Sequence, residues 1–305
     1  MRIILTGSTG LIGGAIWERL RASHQVVRFG RRPVCELCAD FSFPDSVKKV
    51  SLSGYDALIH CAGIVDTDFI KNPQSAWAQA VRGIDALAAQ AIAGGVKRLI
   101  YFSTTHVYGD FDGVLTEESQ PNPMTQYAIA HYAGEQILKS YSRKGLEISI
   151  LRPNAVYGIP SDWDTFNRWS LVPFDLPLQA VYHGKIVLKS SGIQKRNFVS
   201  TKDLAFYVEK LLLLPRGKSP LFLNSIGKDT MSIYDFAKLC AKIYFDKKKT
   251  ICLIKRPEPS LAAGDFEILT NRNDFQPQEN VSDFLNEFID EVIKRLTKGK
   301  VYGQN

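Results

Sequence analysis

In the first half of the chain, apolar positions follow two arrangements that replace one another. Arg2–Thr6 is built on the consecutive apolar residues Ile3, Ile4 and Leu5, the pattern of a short buried strand, and from Leu11 to Arg21 the residues Ile12, Ile16 and Leu20 recur on one side of a helix. Runs of the first kind return at Gln25–Phe29, Ala57–Cys61, Lys97–Ser103 and Glu147–Leu151, with helical stretches at Gln74–Ala93 and Met124–Lys144 between them. Strands separated by helices pair in parallel through right-handed crossovers, which predicts an α/β fold built on a doubly wound sheet.

After Arg152 this alternation stops. Pro153, Pro160, Trp163, Phe166, Trp169, Pro173, Phe174 and Pro177 crowd a segment suited to the loops of a smaller lobe lying over the strand ends, a common place for a ligand. Two more helices are expected at Ser232–Tyr244 and Ser282–Leu296. In the second, Val281, Phe284, Leu285, Phe288, Ile289, Val292, Ile293 and Leu296 form one apolar stripe, which reads as core. The chain shows no internal repeat and no low-complexity tract.

Composition narrows the classes. With 305 residues, 45% hydrophobic and 23% charged, the chain is an ordinary globular protein of one large or two smaller domains, two being the working expectation, and fibrous and disordered classes are excluded. The net charge of +7 is compatible with nucleic acid, an anionic membrane surface or a phosphorylated ligand. The basic residues are scattered, and their densest run, Lys247, Lys248 and Lys249, reads as a solvated turn, so no nucleic-acid partner is expected. Five cysteines do not suggest a disulfide framework, and Cys35-x-x-Cys38 lacks a second pair or a nearby histidine, so no metal is expected. Without an apolar run long enough for a membrane span, and with no signal peptide read at Met1–Gly7, a cytoplasmic location is expected.

Gly7-Ser8-Thr9-Gly10-Leu11-Ile12-Gly13 falls directly between the first strand and the first helix. Absent side chains there let backbone N–H groups and the positive helix end approach a pyrophosphate, so Gly7, Thr9, Gly10, Leu11, Ile12 and Gly13 are candidate contacts for a dinucleotide. Beyond the second strand, Gly30-Arg31-Arg32 stands where an NAD site usually places a carboxylate. Guanidinium groups suit a 2′-phosphate, so NADP is the expected cofactor and NAD the second choice; otherwise Arg31 and Arg32 are solvated residues of a turn. Asp40 is a candidate partner for the adenine amino group, or else a surface or capping aspartate.

Further motifs carry a resemblance. They are His60-Cys61-Ala62-Gly63, Phe102-Ser103-Thr104-Thr105-His106-Val107-Tyr108-Gly109, Tyr127-Ala128-Ile129-Ala130-His131, Leu151-Arg152-Pro153-Asn154-Ala155-Val156-Tyr157-Gly158 and Arg196-Asn197-Phe198-Val199. Together with the glycine turn, their order and spacing resemble the extended short-chain dehydrogenase/reductase family, which contains UDP-galactose 4-epimerase and nucleotide-sugar dehydratases and ketoreductases. The resemblance implies a Rossmann-type sheet over 1–155, with 196–214 returning to it, and a C-terminal substrate lobe over 156–195 and 215–305. It implies catalytic roles for Tyr127, which moves a proton, and Thr104, which holds the reacting oxygen. Phe41, Cys61, Ala62, Gly63 and Pro153 would join the cofactor site with Tyr127 and His131, and Thr104, Thr105, His106, Asn154 and Arg196 would meet the substrate, Arg196 at a pyrophosphate.

Three positions depart from that pattern. His131 replaces the lysine of Tyr-x-x-x-Lys and is expected either to bond the nicotinamide ribose as a neutral donor or to supply charge when protonated. Ala80 and Ala155 replace asparagines. The resemblance implies an NAD(P)-dependent oxidoreductase of a nucleoside-diphosphate sugar, reducing a 4-keto group, in a homodimer. Alternatives are a C4 epimerase that retains NAD, a dinucleotide-binding protein that has lost catalysis, and a reductase of a non-sugar carbonyl.

Overall fold

A computed structural model describes residues 1–215, 217, 219–258 and 266–303; the remaining parts of the 215–305 segment lie outside the described residues. The strand Arg2–Thr6 (β1) is buried over its last four positions and pairs in parallel on both sides. Its neighbours are Gln25–Gly30 (β2), which continues to Leu37–Cys38 (β3), and Ala57–His60 (β4), which continues to Arg98–Phe102 (β5). Further along the chain come Gly113–Leu115 (β6), Glu147–Pro153 (β7), Ala155–Tyr157 (β8), Lys185–Val187 (β9), Lys195–Ser200 (β10), Leu221–Ser225 (β11) and Asp229–Ser232 (β12). The main sheet has seven parallel strands in the order β11-β7-β5-β4-β1-β2-β3. This is the doubly wound Rossmann-type arrangement, and the order reverses beside β1, where a crevice opens at the strand ends. Continuous apolar runs such as Ile3–Leu5 and Ala57–Ile59 follow from burial on both faces.

In a second, three-stranded sheet β10 pairs with β8 in parallel and with β12 antiparallel. Beyond it the helices Val172–His183, Ile233–Lys248 and Val281–Leu296 close over a core of Trp163, Phe174, Phe198, Phe236 and Phe288. The expected stripe of the last helix is therefore core, except that Leu296 is exposed. The proline-rich segment holds a helix where loops were expected. Pro173 lies in its first turn, where no N–H is needed, while Pro177 forgoes one hydrogen bond inside it.

The helix expected over Gln74–Ala93 is interrupted. Pro73–Trp77 and Ile84–Ala93 are joined by a wide π turn over Ala78–Gly83, a local widening that often accompanies a site. Gly83, at its end, lets the turn pack against the Phe41 backbone, because a side chain there would collide with the Phe41 carbonyl oxygen. Among the described residues no helix is long and apolar enough to cross a membrane, and all five cysteines are free.

The helix Gln126–Ser142 begins at Thr125, whose hydroxyl accepts the Ala128 N–H at 3.2 Å. Its inner face buries Glu135, which takes the Arg152 guanidinium of β7 in a two-pronged ion pair at 2.9 and 2.6 Å. Arg152 also donates to Tyr108 at 2.9 Å and lies between the Tyr108 and Phe222 rings. Truncating Glu135 to alanine leaves this guanidinium buried without its carboxylate. We expect urea unfolding of Glu135→Ala at pH 7 to show a loss of about 3–5 kcal/mol.

Candidate functional site

A cleft of about 1030 Å³ runs over the carboxyl ends of the strands, from the turn after β1 to β10. At one end, Gly7 has φ +67°, and a Cβ there would lie 2.6 Å from the Cys61 carbonyl carbon. A side chain on Gly13 would collide with the Gly7 carbonyl, so the turn and helix Leu11–Leu20 pack closer than any other residue permits. This helix starts with no side-chain cap and no acid in its first turn, which leaves its N–H groups open to an anion. The Ser8 hydroxyl, on the cleft wall, is buried without a partner. An uncapped helix end, a turn stripped of side chains and an orphaned hydroxyl fit the pyrophosphate of a dinucleotide. Thr9, Gly10, Leu11, Ile12, Cys61, Ala62 and Gly63 line the same end of the cleft.

At the end of β2, Arg31 and Arg32 both line the cleft. Arg31 is three-quarters exposed (75%) and turns back toward Asp40, 3.6 Å away. Burial works to raise the Asp40 pKa, but hydrogen bonds from Ser42 and the Arg31 charge outweigh it, and the carboxyl is held below its ordinary value. Phe41 beside it packs edge-on to Phe29 at 5.2 Å.

Deeper in the cleft, Thr104 follows β5 and Tyr127 rises from the helix Gln126–Ser142. The Thr104 hydroxyl accepts the His106 N–H at 3.2 Å, which leaves its own proton free to turn toward the Tyr127 phenol. Burial pushes the Tyr127 pKa up, while the Thr104 bond and the Arg168 charge pull it down.

His131 lies one helical turn beyond Tyr127. Its ring packs edge-on to Tyr127 at 4.6 Å, but both nitrogens are engaged within the protein. Nε2 faces the Ile64 carbonyl at 3.4 Å and, since a carbonyl only accepts, carries the proton. Nδ1 then accepts from the Tyr101 hydroxyl at 3.0 Å. Burial lowers the His131 pKa to about 4, which favours the neutral ring, one of the two forms expected of it. His60, which accepts from Thr6 at 2.8 Å, is pushed by burial to about 3.

On the far side, Arg196 lines the cleft, with its guanidinium over the Phe111 ring at 4.8 Å, and burial lowers its pKa. His106 sits between Phe111 and Tyr127, and burial, followed by the Arg196 charge, lowers its pKa too. Asn154 faces the cleft but spends its amide on Thr105 at 2.7 Å and its carbonyl on the Asn197 N–H at 3.2 Å. Thr105 and Pro153 are buried beside Asn154, and the Thr105 hydroxyl donates to the Pro153 carbonyl at 3.4 Å while accepting the Asn154 amide.

Four cleft residues escaped sequence reasoning. Ser8 sat unremarked inside the glycine turn, the one signal that was available. Gln79, in the π turn, reaches the Ala62 carbonyl at 3.0 Å beside the buried Ala80. Asp66 and Arg168 form an ion pair at 3.0 Å across the cleft from elements 102 positions apart, and no local motif announces them. Among the described residues no cluster of His, Cys, Asp or Glu could hold a metal ion.

The profile of the NAD dependent epimerase/dehydratase family matches residues 3–221. The chain is 27% identical over 249 residues to the UDP-glucose 4-epimerase of Vibrio cholerae, covering 74% of this chain and 71% of that one. It spans about half the length of other curated relatives it matches, 51% and 50% of two of them. Two solved structures have the same fold. One is a UDP-glucose 4-epimerase from Thermotoga maritima with UDP-glucose (TM-score 0.77, 20% identity, 98% of this chain and 100% of that one). The other is RMD from Pseudomonas aeruginosa complexed with NADPH (TM-score 0.76, 20% identity, 96% and 99%).

The two buried imidazoles make stability depend on pH. An unfolded histidine titrates near pH 6.5, whereas His131 and His60 in the fold have pKa values of about 4 and about 3. Their contribution is complete above the unfolded value and is lost as pH falls, because the unfolded chain takes up protons that the folded one refuses. We expect the unfolding free energy to drop between about pH 6.5 and pH 4. His131→Gln should flatten that drop in urea titrations run across the range.

Proposed function

Because the chain belongs to the NAD dependent epimerase/dehydratase family, we propose that it is an NAD(P)-dependent oxidoreductase acting on a nucleoside-diphosphate sugar, with reduction of a 4-keto sugar as its reaction. The observation that carries the proposal is the convergence of the Thr104 and Tyr127 hydroxyls on the wall of a cleft that also holds the anion-ready turn at Gly7–Gly13. A nicotinamide dinucleotide held by the Gly7–Gly13 turn would supply the hydride. Thr104 donates a hydrogen bond to the carbonyl oxygen and orients it, and Tyr127 gives that oxygen its phenolic proton as negative charge develops there. The phenolate that remains regains a proton from solvent. His131 keeps the Tyr127 ring in place by edge-on packing. Arg196, forked and desolvated, suits the diphosphate of the substrate, and the segments 156–195 and 215–305 form the lobe that holds it.

Arg31 and Arg32 support NADP over NAD. A C4 epimerase that retains NAD is the second reading, favoured by the engagement of Arg31 with Asp40 and by the activity named for the Vibrio cholerae relative. An epimerase returns the hydride to the other face of the sugar and keeps its dinucleotide, whereas a reductase exchanges it at each turnover.

Mass spectrometry of the protein as purified separates the two. A reductase yields little bound dinucleotide and oxidises added NADPH in the presence of a UDP- or dTDP-4-keto sugar; co-purifying NAD with no NADPH oxidation reverses the order. In the turnover assay Tyr127→Phe is expected to lower kcat by about 10²–10⁴ with NADPH affinity unchanged by fluorescence titration. Arg31→Ala with Arg32→Ala should weaken NADPH at least tenfold more than NADH, a difference of about 1.4 kcal/mol.

A further inference from the structure

Away from the cleft, the strand Leu253–Lys255 (β13) pairs in parallel with β9 in a two-stranded sheet, setting Leu253 beside Lys185, Ile254 beside Ile186 and Lys255 beside Val187. Alternation along each strand sends one set of side chains inward and the other outward. Ile186 is fully buried and Ile254 packs against the same core of the C-terminal lobe, so the inner face is satisfied. The outer face is not. There Leu253 is 59% exposed and Val187 44%, and two positions before Leu253 stands Ile251 at 72%. Single exposed aliphatics are ordinary, but three gathered on one small sheet call for a partner.

The polar members of this face are basic. Lys185 and Lys255 alternate with the aliphatics across the strand pair, and both are exposed. Just before Ile251, the end of the helix Ile233–Lys248 adds Lys248 and Lys249, the latter over the half-exposed Phe245 ring at 6.0 Å. Among the described residues Lys185, Lys248, Lys249 and Lys255 have no carboxylate partner, whereas Lys247 is paired with Asp290 at 2.7 Å. The nearest acids in sequence, Asp246 and Glu258, lie outside the strand pair. The lysine run that reads as a solvated turn in the sequence thus ends beside an apolar surface.

Lysines on a short edge strand discourage the addition of a further strand. Two such faces brought together by a two-fold axis would set lysine against lysine, so a second copy does not suit them either. A partner that is anionic and also accepts aliphatic side chains does. We propose that the outer face of β9 and β13, with the adjoining end of the helix Ile233–Lys248, docks the protein on an anionic lipid bilayer. Ile251, Leu253 and Val187 enter the headgroup layer, and the lysine ammonium groups stay at the level of the lipid phosphates with their stems along the apolar residues. This is contact with one leaflet and asks for no helix that crosses it. The helix Val172–His183 begins at the cleft wall with Val172 and Pro173 and ends just before Lys185, so its length of about 18 Å separates the docking surface from the cleft.

The test is flotation of the full-length protein with vesicles of phosphatidylcholine alone and of an equal mixture of phosphatidylcholine and phosphatidylglycerol. Binding is expected to the mixed vesicles only, weakening as salt is raised. Lys185→Glu with Lys255→Glu should lower the partition coefficient by at least about tenfold, and Ile251→Ser with Leu253→Ser should lower it by roughly tenfold as well. Lys49→Glu with Lys97→Glu, an equal change of net charge among exposed lysines of the sheet domain, should leave it unchanged. Failure of the parent to bind the mixed vesicles overturns the proposal, as does an equal loss in the Lys49 and Lys97 pair. A loss confined to the Lys185 and Lys255 pair, with the serine pair unaffected, reveals attraction by charge alone and overturns it too. So does sedimentation of the parent as a dimer that the serine pair dissolves, which would assign the face to a second copy. Thermal midpoints check that every variant is folded. Neither the variants nor the readout touch the cleft, so the outcome is independent of the reaction proposed above.

Discussion

Three polar side chains stacked on the inner face of one helix set the geometry on which everything else depends. Tyr127, His131 and Glu135 follow each other at four-residue intervals along Gln126–Ser142, and each faces a polar side chain on a neighbouring element: Thr104 after β5, Tyr101 in β5 and Arg152 in β7. None of these groups can be buried without its partner except at a cost of one to several kcal/mol. A rotation of the helix by one residue would orphan all three. Gly134 permits the close approach this needs, since a Cβ there would lie 2.9 Å from the Tyr101 hydroxyl oxygen. The phenol is thus presented to the cleft by a helix whose orientation is over-determined from behind, and precision at the site comes from charge and hydrogen bonding buried beneath it.

The opposite end of the cleft is organised differently. There the protein prepares for a ligand by leaving groups unsatisfied: an uncapped helix end, a turn without side chains and a buried hydroxyl without a partner. Thr6 ties the two loops of this cradle together, accepting the Cys61 and Ala62 N–H groups at 3.2 and 3.1 Å while donating to His60. Closed polar pairs thus lie under the tyrosine and open ones around the glycine turn, as expected of a surface that must exclude water in one place and receive an anion in the other.

Much of this was legible in the chain. The run Ile3–Leu5 followed by Gly7 and Gly13 identifies the first strand, the turn and the helix, because burial on both faces and the need for bare backbone each leave a composition trace. The spacing of Tyr127 and His131 places them on one helix face. It does not say where the imidazole points, which depends on Tyr101 and Ile64, residues with no periodic relation to it. The family profile matches residues 3–221, while the packing of Thr105 on the Pro153 carbonyl was hidden, because the sequence does not show which side of a strand end is already filled. The edge strand β11, the π turn and the helix begun at Val172 were likewise hidden, since each depends on packing partners distant in sequence.

The ion pair between Asp66 and Arg168 gives this architecture a division of labour along the polypeptide. The N-terminal stretch forms the glycine turn and carries Tyr127, whereas part of the wall over the same cleft arrives with a later segment, the loop that brings Arg168 to Asp66. Turn and wall are thereby written in separate stretches of the chain, joined across the cleft by a single exposed ion pair.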